Sequence, residues 1–184
     1  MKIIRRSEFK SVPWKNQGGV THEIAKQEND QNILWRLSIA EVTKNGSFSL
    51  FEGLHRSLTV ISGTGMDLHG ASGNPVHEAL LLKPITFSGS AVLIGVLRSG
   101  FCEDFNLIFD PKIFEGRVDI IDSEDDIMIS PPSDSITGLL CLADTMKCGG
   151  QILNHHDFAF LSPTDTSVKL SSSSKVLRVT LRQL

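Results

Sequence analysis

Helical signal is scarce in this chain; short apolar or alternating runs recur instead, each closed by a cluster of turn residues. The run Ile33–Val42 is followed by Lys44, Asn45 and Gly46, residues 57–61 by Ser62, Gly63, Thr64 and Gly65, and Met66–His69 by the turn residues from Gly70 to Pro75. Further runs cover residues 77–82, 90–97, 105–109, 117–121, 138–142, 151–153, 158–161 and 175–181. Segments of this length, rich in Val, Ile, Leu, Phe and Thr and bounded by turns, form strands, and a long series of them forms a sandwich or barrel. Asn45-Gly46 predicts a type I′ hairpin turn, because both central residues of that turn need positive φ. Residues 78–83 could form a turn and a half of helix, but Pro84 stops it and the flanking residues suggest a strand entering from a loop. The expected class is all-β.

With 184 residues the chain can bury a sizeable core, and 40% hydrophobic and 21% charged residues match ordinary globular usage. The expectation is one compact unit over 1–184, with an N-terminal β unit at about 1–115 and a smaller C-terminal one at 116–184. The net charge is −3 with no dense basic cluster, which argues against nucleic acid as a partner. No apolar run approaches the ~20 residues that span a bilayer, so no membrane association is expected. Arg5 and Arg6 are not followed by an apolar segment of signal-peptide type. Three cysteines, Cys102, Cys141 and Cys148, fit reduced thiols, so the cytoplasm is the expected location. Residues 119–126 hold five acidic side chains and are expected to form a solvated loop between the two halves. Calcium is the sharper alternative there, but the glycine and terminal Glu of an EF-hand loop are missing.

Strand alternation indicates which side chains face together. It puts Leu34, Arg36, Ser38, Ala40 and Val42 on one side of their run, and Trp35, Leu37 and Ile39 on the other. Arg56 runs in phase with Leu58 and Val60, and Asp104 and Asn106 in phase with Ile108. Arg36, Ser38, Arg56, Asp104 and Asn106 are therefore polar residues set beside apolar ones on three strands. A barrel mouth that collects them could hold a small anionic or zwitterionic ligand, because Arg suits bidentate carboxylate recognition and Asn supplies both donor and acceptor. The competing reading is an internal salt bridge of Asp104 with Arg36 or Arg56. Phase alone does not choose between them.

Other chemistry finds little support. The cupin metal motif needs His-x-His after a glycine and then Glu, whereas here His155 and His156 are adjacent. On a regular strand neighbouring histidines point to opposite faces, and His77-Glu78 is likewise only a pair. No metal and no cofactor is expected. There is no G-x-S-x-G elbow, and nothing in the sequence fixes Ser, His and Asp into a relay. Glu103 and Asp104 beside Cys102 would raise its pKa, and the Gly-rich stretches at 63–65 and 70–73 are turns and not phosphate cradles.

One N-terminal cluster is too dense for generic turn chemistry: Trp14, Lys15, Asn16, Gln17, Gly18, Gly19, Thr21, Glu23 and Ile24. Trp35, Arg36, Leu37, Ser38 and Ala40 follow, then Gly46, Phe48, Ser49, Phe51, Gly53 and Arg56, then Phe87 and Gly89, then Asp104, Phe105, Asn106 and Leu107. In this order the blocks resemble the HutD/Ves family over roughly residues 10–110. The resemblance implies a cupin-like (RmlC-like) barrel with a second, smaller β unit, a bicupin-type arrangement. It implies no established catalytic activity. It points to an accessory or regulatory role in histidine utilisation, with an N-formylglutamate-like ligand, or to stress responses for the Ves branch. The chain departs from the pattern at Gln17, where the family has glycine, at Ser90, where it has an acidic residue, and at Ile108, Phe109 and Asp110, where it has Met and basic residues.

Three functions are then open. The first is a non-enzymatic accessory or regulatory protein that binds a small carboxylate through Arg36 and Arg56, with Asn106, Asp104, Thr21, Ser38, Glu23 and His55 around the ligand. The second is a cupin-type isomerase or hydrolase using a metal or His55 as acid/base. The third is a protein–protein adaptor. A homodimer is compatible with each. Phe48 and Phe51 are expected in the core, and Trp14 either plugs one barrel end, the preferred reading, or forms a flat wall for a ligand.

Overall fold

The computed structural model describes residues 1–30, 32–162 and 167–184. Among them there is no α-helix, one 3-10 turn at Arg6–Glu8, and otherwise strands and their connections. The chain is all-β, as its punctuation indicates. It divides into two compact units, Lys10–Lys112 and Met1–Phe9 with Ile113–Leu184. The first residues belong to the second unit because Lys2–Ile4 pairs antiparallel with Phe158–Leu161.

The same eight-strand plan occurs in each unit. In the N-terminal unit the eight successive strands run from Ile33–Val42 to Cys102–Phe109. One sheet orders them first, eighth, third, sixth, and the other second, seventh, fourth, fifth. The eight strands from Phe114–Ser123 to Ser174–Gln183 pair in the same order. Eight strands in two facing antiparallel sheets form the jelly roll used by cupins. Lys10–Pro13 and Gly19–Glu28 extend the larger sheet of the N-terminal unit, where Gly19–Glu28 pairs with Ile33–Val42.

Each barrel has its own apolar filling. In the N-terminal unit Ala40, Val42, Leu58, Val60, Met66, Leu68, Ala79, Leu93 and Cys102 pack together. The C-terminal unit has an equivalent cluster, including Leu139, Cys141, Cys148, Leu153, Leu170 and Val176. Burying each large aliphatic side chain contributes about 1.5–3 kcal/mol, so these clusters hold the sheets face to face.

Of three local expectations, two are corrected and one holds. Asn45-Gly46 closes no hairpin: neither residue has positive φ, and Gly46–Ser47 pairs with Ile94 and Gly95 and not with the preceding strand. The chain crosses between sheets there, and Asn45 Oδ1 accepts from the Leu97 N–H at 2.9 Å. Residues 78–83 contain no helix, as Pro84 and the flanking residues suggest; Pro75–Ala79 is a strand, and Leu82 turns the chain at φ 58°. The acidic stretch is half strand, because Asp119 and Asp122 lie within Phe114–Ser123, opposite Arg178 and Lys175. Cross-strand cations stabilise those carboxylates in the ladder.

Candidate binding pocket

Register brings the polar side chains of the N-terminal barrel together. Cys102–Phe109 lies between Ile33–Val42 and His55–Gly63. Ile108 is paired with Arg36 on one side and Arg56 on the other, Asn106 with Ser38 and Leu58, and Asp104 with Ala40 and Val60. These three rows step from the barrel mouth down to the apolar core that begins at Ala40 and Val60. Two strand spacings put the arginine backbones about 10 Å apart, a separation their side chains can close.

Thr21, Arg36, Ser38, Arg56, Asp104 and Asn106 all line one cavity of about 100 Å³, together with Trp14, Phe48 and Phe51. Glu23 does not line it but shares the face of Thr21 and accepts from Arg36 Nε at 2.9 Å. His55 lies elsewhere. It precedes Arg56 in an extended strand and so points to the other face, where it packs edge-on against Phe109 with ring centres 5.7 Å apart.

A hydrogen-bonded chain runs along the pocket wall. Arg56 Nε donates to Asn106 Oδ1 at 2.8 Å, and Asn106 Nδ2 donates to Asp104 Oδ1 at 2.6 Å. The carboxamide thus stands between the two charges, and no direct Arg56–Asp104 ion pair forms among the described residues. The salt-bridge alternative therefore takes a different form: Arg36 pairs with Glu23, and Arg56 reaches Asp104 only through Asn106. Asp104 Oδ2 is buried with no hydrogen-bond partner among the described residues.

Burial shapes the electrostatics. Asp104 is 1% exposed, and desolvation pushes its carboxyl up to about 6 against the opposing pull of Arg56 and Asn106. Burial lowers Arg56 to about 10, which still leaves it charged at neutral pH. Its guanidinium carbon lies 4.4 Å from the Phe48 ring centre, which compensates part of the lost hydration. Both arginines spend Nε on the protein. The terminal nitrogens of Arg36 and Arg56 make no hydrogen bond to the described residues.

Trp14 and Phe48 pack against the core cluster, as expected, and also face the cavity. Phe48 and Phe51 line the pocket, and Trp14 does so while its indole N–H donates to Thr21 Oγ1 at 2.8 Å. Their spacing carries no signal that separates core from pocket wall. Ser47 and Ser49 also line it, and no sequence pattern marks them as pocket residues.

A relay does form on the opposite face of the sheet. Ser11 Oγ is 2.7 Å from His22 Nδ1, and His22 Nε2 is 2.7 Å from Glu41 Oε1. His22 alternates with Thr21 and Glu23, so it points away from the pocket, and the three residues tie the edge strand Lys10–Pro13 to its neighbours. His155 and His156, by contrast, lie in a turn: His156 has φ 64°, and their rings stack with centres 3.9 Å apart. Among the described residues no three His, Cys, Asp or Glu side chains form a metal-holding group. Burial, then Asp104 and Glu103, push the Cys102 thiol up to about 12. No helix among the described residues is long and apolar enough to cross a membrane.

Fold and pocket together define a cupin-fold protein with a charged cavity in the mouth of its N-terminal barrel. A comparison at 8% identity, with the nickel(II) complex of the pirin YhhW from Escherichia coli, shows the fold alone: TM-score 0.70, covering 100% of this chain and 99% of that one. The HutD family model matches residues 6–178, and the chain belongs to the HutD family. It is similar to HutD from Pseudomonas fluorescens SBW25, solved in a formate condition, with TM-score 0.85 and 29% identity over 100% of this chain and 98% of that one. It is also 36% identical over 124 residues to an uncharacterised 21.2 kDa protein encoded in the 3′ region of hutC in Pseudomonas putida. That match covers 66% of this chain and 65% of the relative's own length.

Proposed function

We propose that this protein is a non-enzymatic accessory or regulatory component of histidine utilisation that binds a small carboxylate in the N-terminal barrel, and that it works in the cytoplasm. One observation carries the reading: Arg36 and Arg56 converge on one cavity, each anchored to the protein through Nε, with their terminal donors uncommitted. Two guanidinium groups held in this way recognise a carboxylate with little ordering cost, because their positions are fixed before the ligand arrives. The cavity of about 100 Å³ is small beside the ~300–1,000 Å³ of sites that enclose a drug-sized molecule. It suits a carboxylate head, with any longer body of an N-formylglutamate-like ligand projecting outward. Membership of the HutD family, and similarity to a protein encoded beside hutC, support the pathway.

The test is a thermal-shift screen of histidine-pathway intermediates, with formate and acetate as the smallest carboxylates. A ligand at 100 times its Kd should stabilise the protein by about 2.7 kcal/mol. If no carboxylate shifts the transition, the assignment fails.

A further inference from the structure

Because the pairing order repeats, each position at the mouth of the N-terminal barrel has a counterpart in the C-terminal one. The apolar floor is Cys102 beside Val42 in the first barrel and Val176 beside Ile121 and Cys141 in the second. One step toward the mouth, Asp104 beside Ala40 and Val60 corresponds to Arg178 beside Asp119 and Leu139. At the next step Asn106 corresponds to Thr180, which lies between Arg117 and Thr137. At the outermost step Ile108, flanked by two arginines, corresponds to Arg182, flanked by Glu115 and Ser135.

The counterpart residues also line a cavity, here of about 270 Å³. Its charge is arranged differently. Where the first barrel buries a carboxylate next to its core, the second sets a guanidinium. Arg178 Nη2 donates to Asp119 Oδ2 at 3.0 Å, Arg117 Nε donates to Asp119 Oδ1 at 2.7 Å, and Arg182 pairs with Glu115. One carboxylate thus serves two guanidinium groups, and the mouth as a whole has three cations against two anions. Arg178 Nε is buried with no hydrogen-bond partner among the described residues. The hydroxyl-bearing residues Thr137 and Thr180 line the same cavity one step out. A lattice of self-sufficient ion pairs would leave neither the surplus charge nor the unpartnered donor.

We propose that the mouth of the C-terminal barrel is a second binding site, independent of the N-terminal pocket, for a compact oxyanion. Its donors are guanidinium groups led by Arg178, with threonine hydroxyls beside them. That chemistry takes either a phosphate or a small dicarboxylate, since both offer several oxygens to charge-assisted hydrogen bonds.

Calorimetric titration of the full chain with inorganic phosphate and, separately, with malonate tests this. At least one probe should bind at millimolar concentration or below, and the identity of the binder assigns the oxyanion class. Arg178→Met should weaken that binding at least tenfold. Arg117→Gln, at a side chain 74% exposed and so harmless to folding, should weaken it about threefold by removing the surplus charge. Arg56→Met, which removes any malonate bound in the N-terminal pocket, should leave the Arg178-dependent binding in place, which separates the two sites. No binding of either probe, binding indifferent to both Arg178→Met and Arg117→Gln, or Arg178-dependent binding lost in Arg56→Met would overturn the proposal.

Discussion

Arg56 and Asp104 line the same cavity without touching, because the carboxamide of Asn106 accepts from one at 2.8 Å and donates to the other at 2.6 Å. A direct ion pair would satisfy both charges and close the pocket. The interposed amide holds them in place while leaving the Arg56 terminal nitrogens and Asp104 Oδ2 uncommitted. Asn106→Leu, similar in size but without hydrogen bonds, should weaken carboxylate binding at least tenfold in calorimetry, because Arg56 loses its anchor.

The raised Asp104 carboxyl makes stability depend on pH in the direction opposite to most carboxylates. Its folded value of about 6 lies above the ordinary 3.8, so between those values the folded state holds more protons than the unfolded. Stability from this group is full below about pH 4 and is lost as pH rises to about 6. A rise of that size corresponds to about 3 kcal/mol as an upper figure. Urea denaturation of wild type and Asp104→Asn from pH 4 to 7 should show the variant gaining relative to wild type across that window. A flat difference would place the Asp104 charge outside the buried network.

Anion binding should draw on the same proton. A carboxylate entering beside ionised Asp104 raises its pKa further, so affinity should fall as pH rises from 6 to 8, with net proton uptake on binding. Arg56, Arg36 with its partner Glu23, and Glu103 on the same strand complete the local charge set. Calorimetry in buffers of different ionisation enthalpy measures the uptake, and Asp104→Asn should abolish it.

Gly95 controls the aromatic wall. A Cβ there would lie 2.6 Å from Phe48 Cε2, and Phe48 lies against Arg56. Gly95→Ala should displace the ring toward the cavity and weaken carboxylate binding about tenfold, a loss that titration would detect alongside an unchanged far-ultraviolet spectrum.

Gln17 offers a test away from the pocket. It has φ 54°, a left-handed conformation that costs a side-chain-bearing residue about 1 kcal/mol, at the position where the family pattern has glycine. Gln17→Gly should raise stability by up to about 0.5 kcal/mol in urea denaturation, once the larger unfolded-state freedom of glycine is set against the relieved strain.

Strands and their phase are well encoded locally. Ile33–Val42 has the bounds its pattern indicates, and Arg36, Ser38 and Ala40 share the cavity because alternation requires it. Connections are less legible. Asn45-Gly46 has hairpin composition, but tertiary pairing with Ile94 and Gly95 outweighs it. His55 sits next to Arg56 in sequence yet not in the pocket, since adjacent strand residues face apart. The pairing of Arg36 with Glu23, and the Ser11–His22–Glu41 relay, depend on which strands become neighbours, and no local pattern encodes that. Phe48 and Phe51 show the same limit: an aromatic in a core and one in a pocket wall satisfy the same local periodicity.

Titration of the best carboxylate from the ligand screen into wild type, Arg36→Ala and Arg56→Ala tests the binding pocket most directly. Each substitution should cost about 2–5 kcal/mol of binding free energy, a loss of tens-fold or more, because each removes a desolvated guanidinium from the ligand's oxygens. Unchanged affinity in both variants would contradict a pocket built on Arg36 and Arg56.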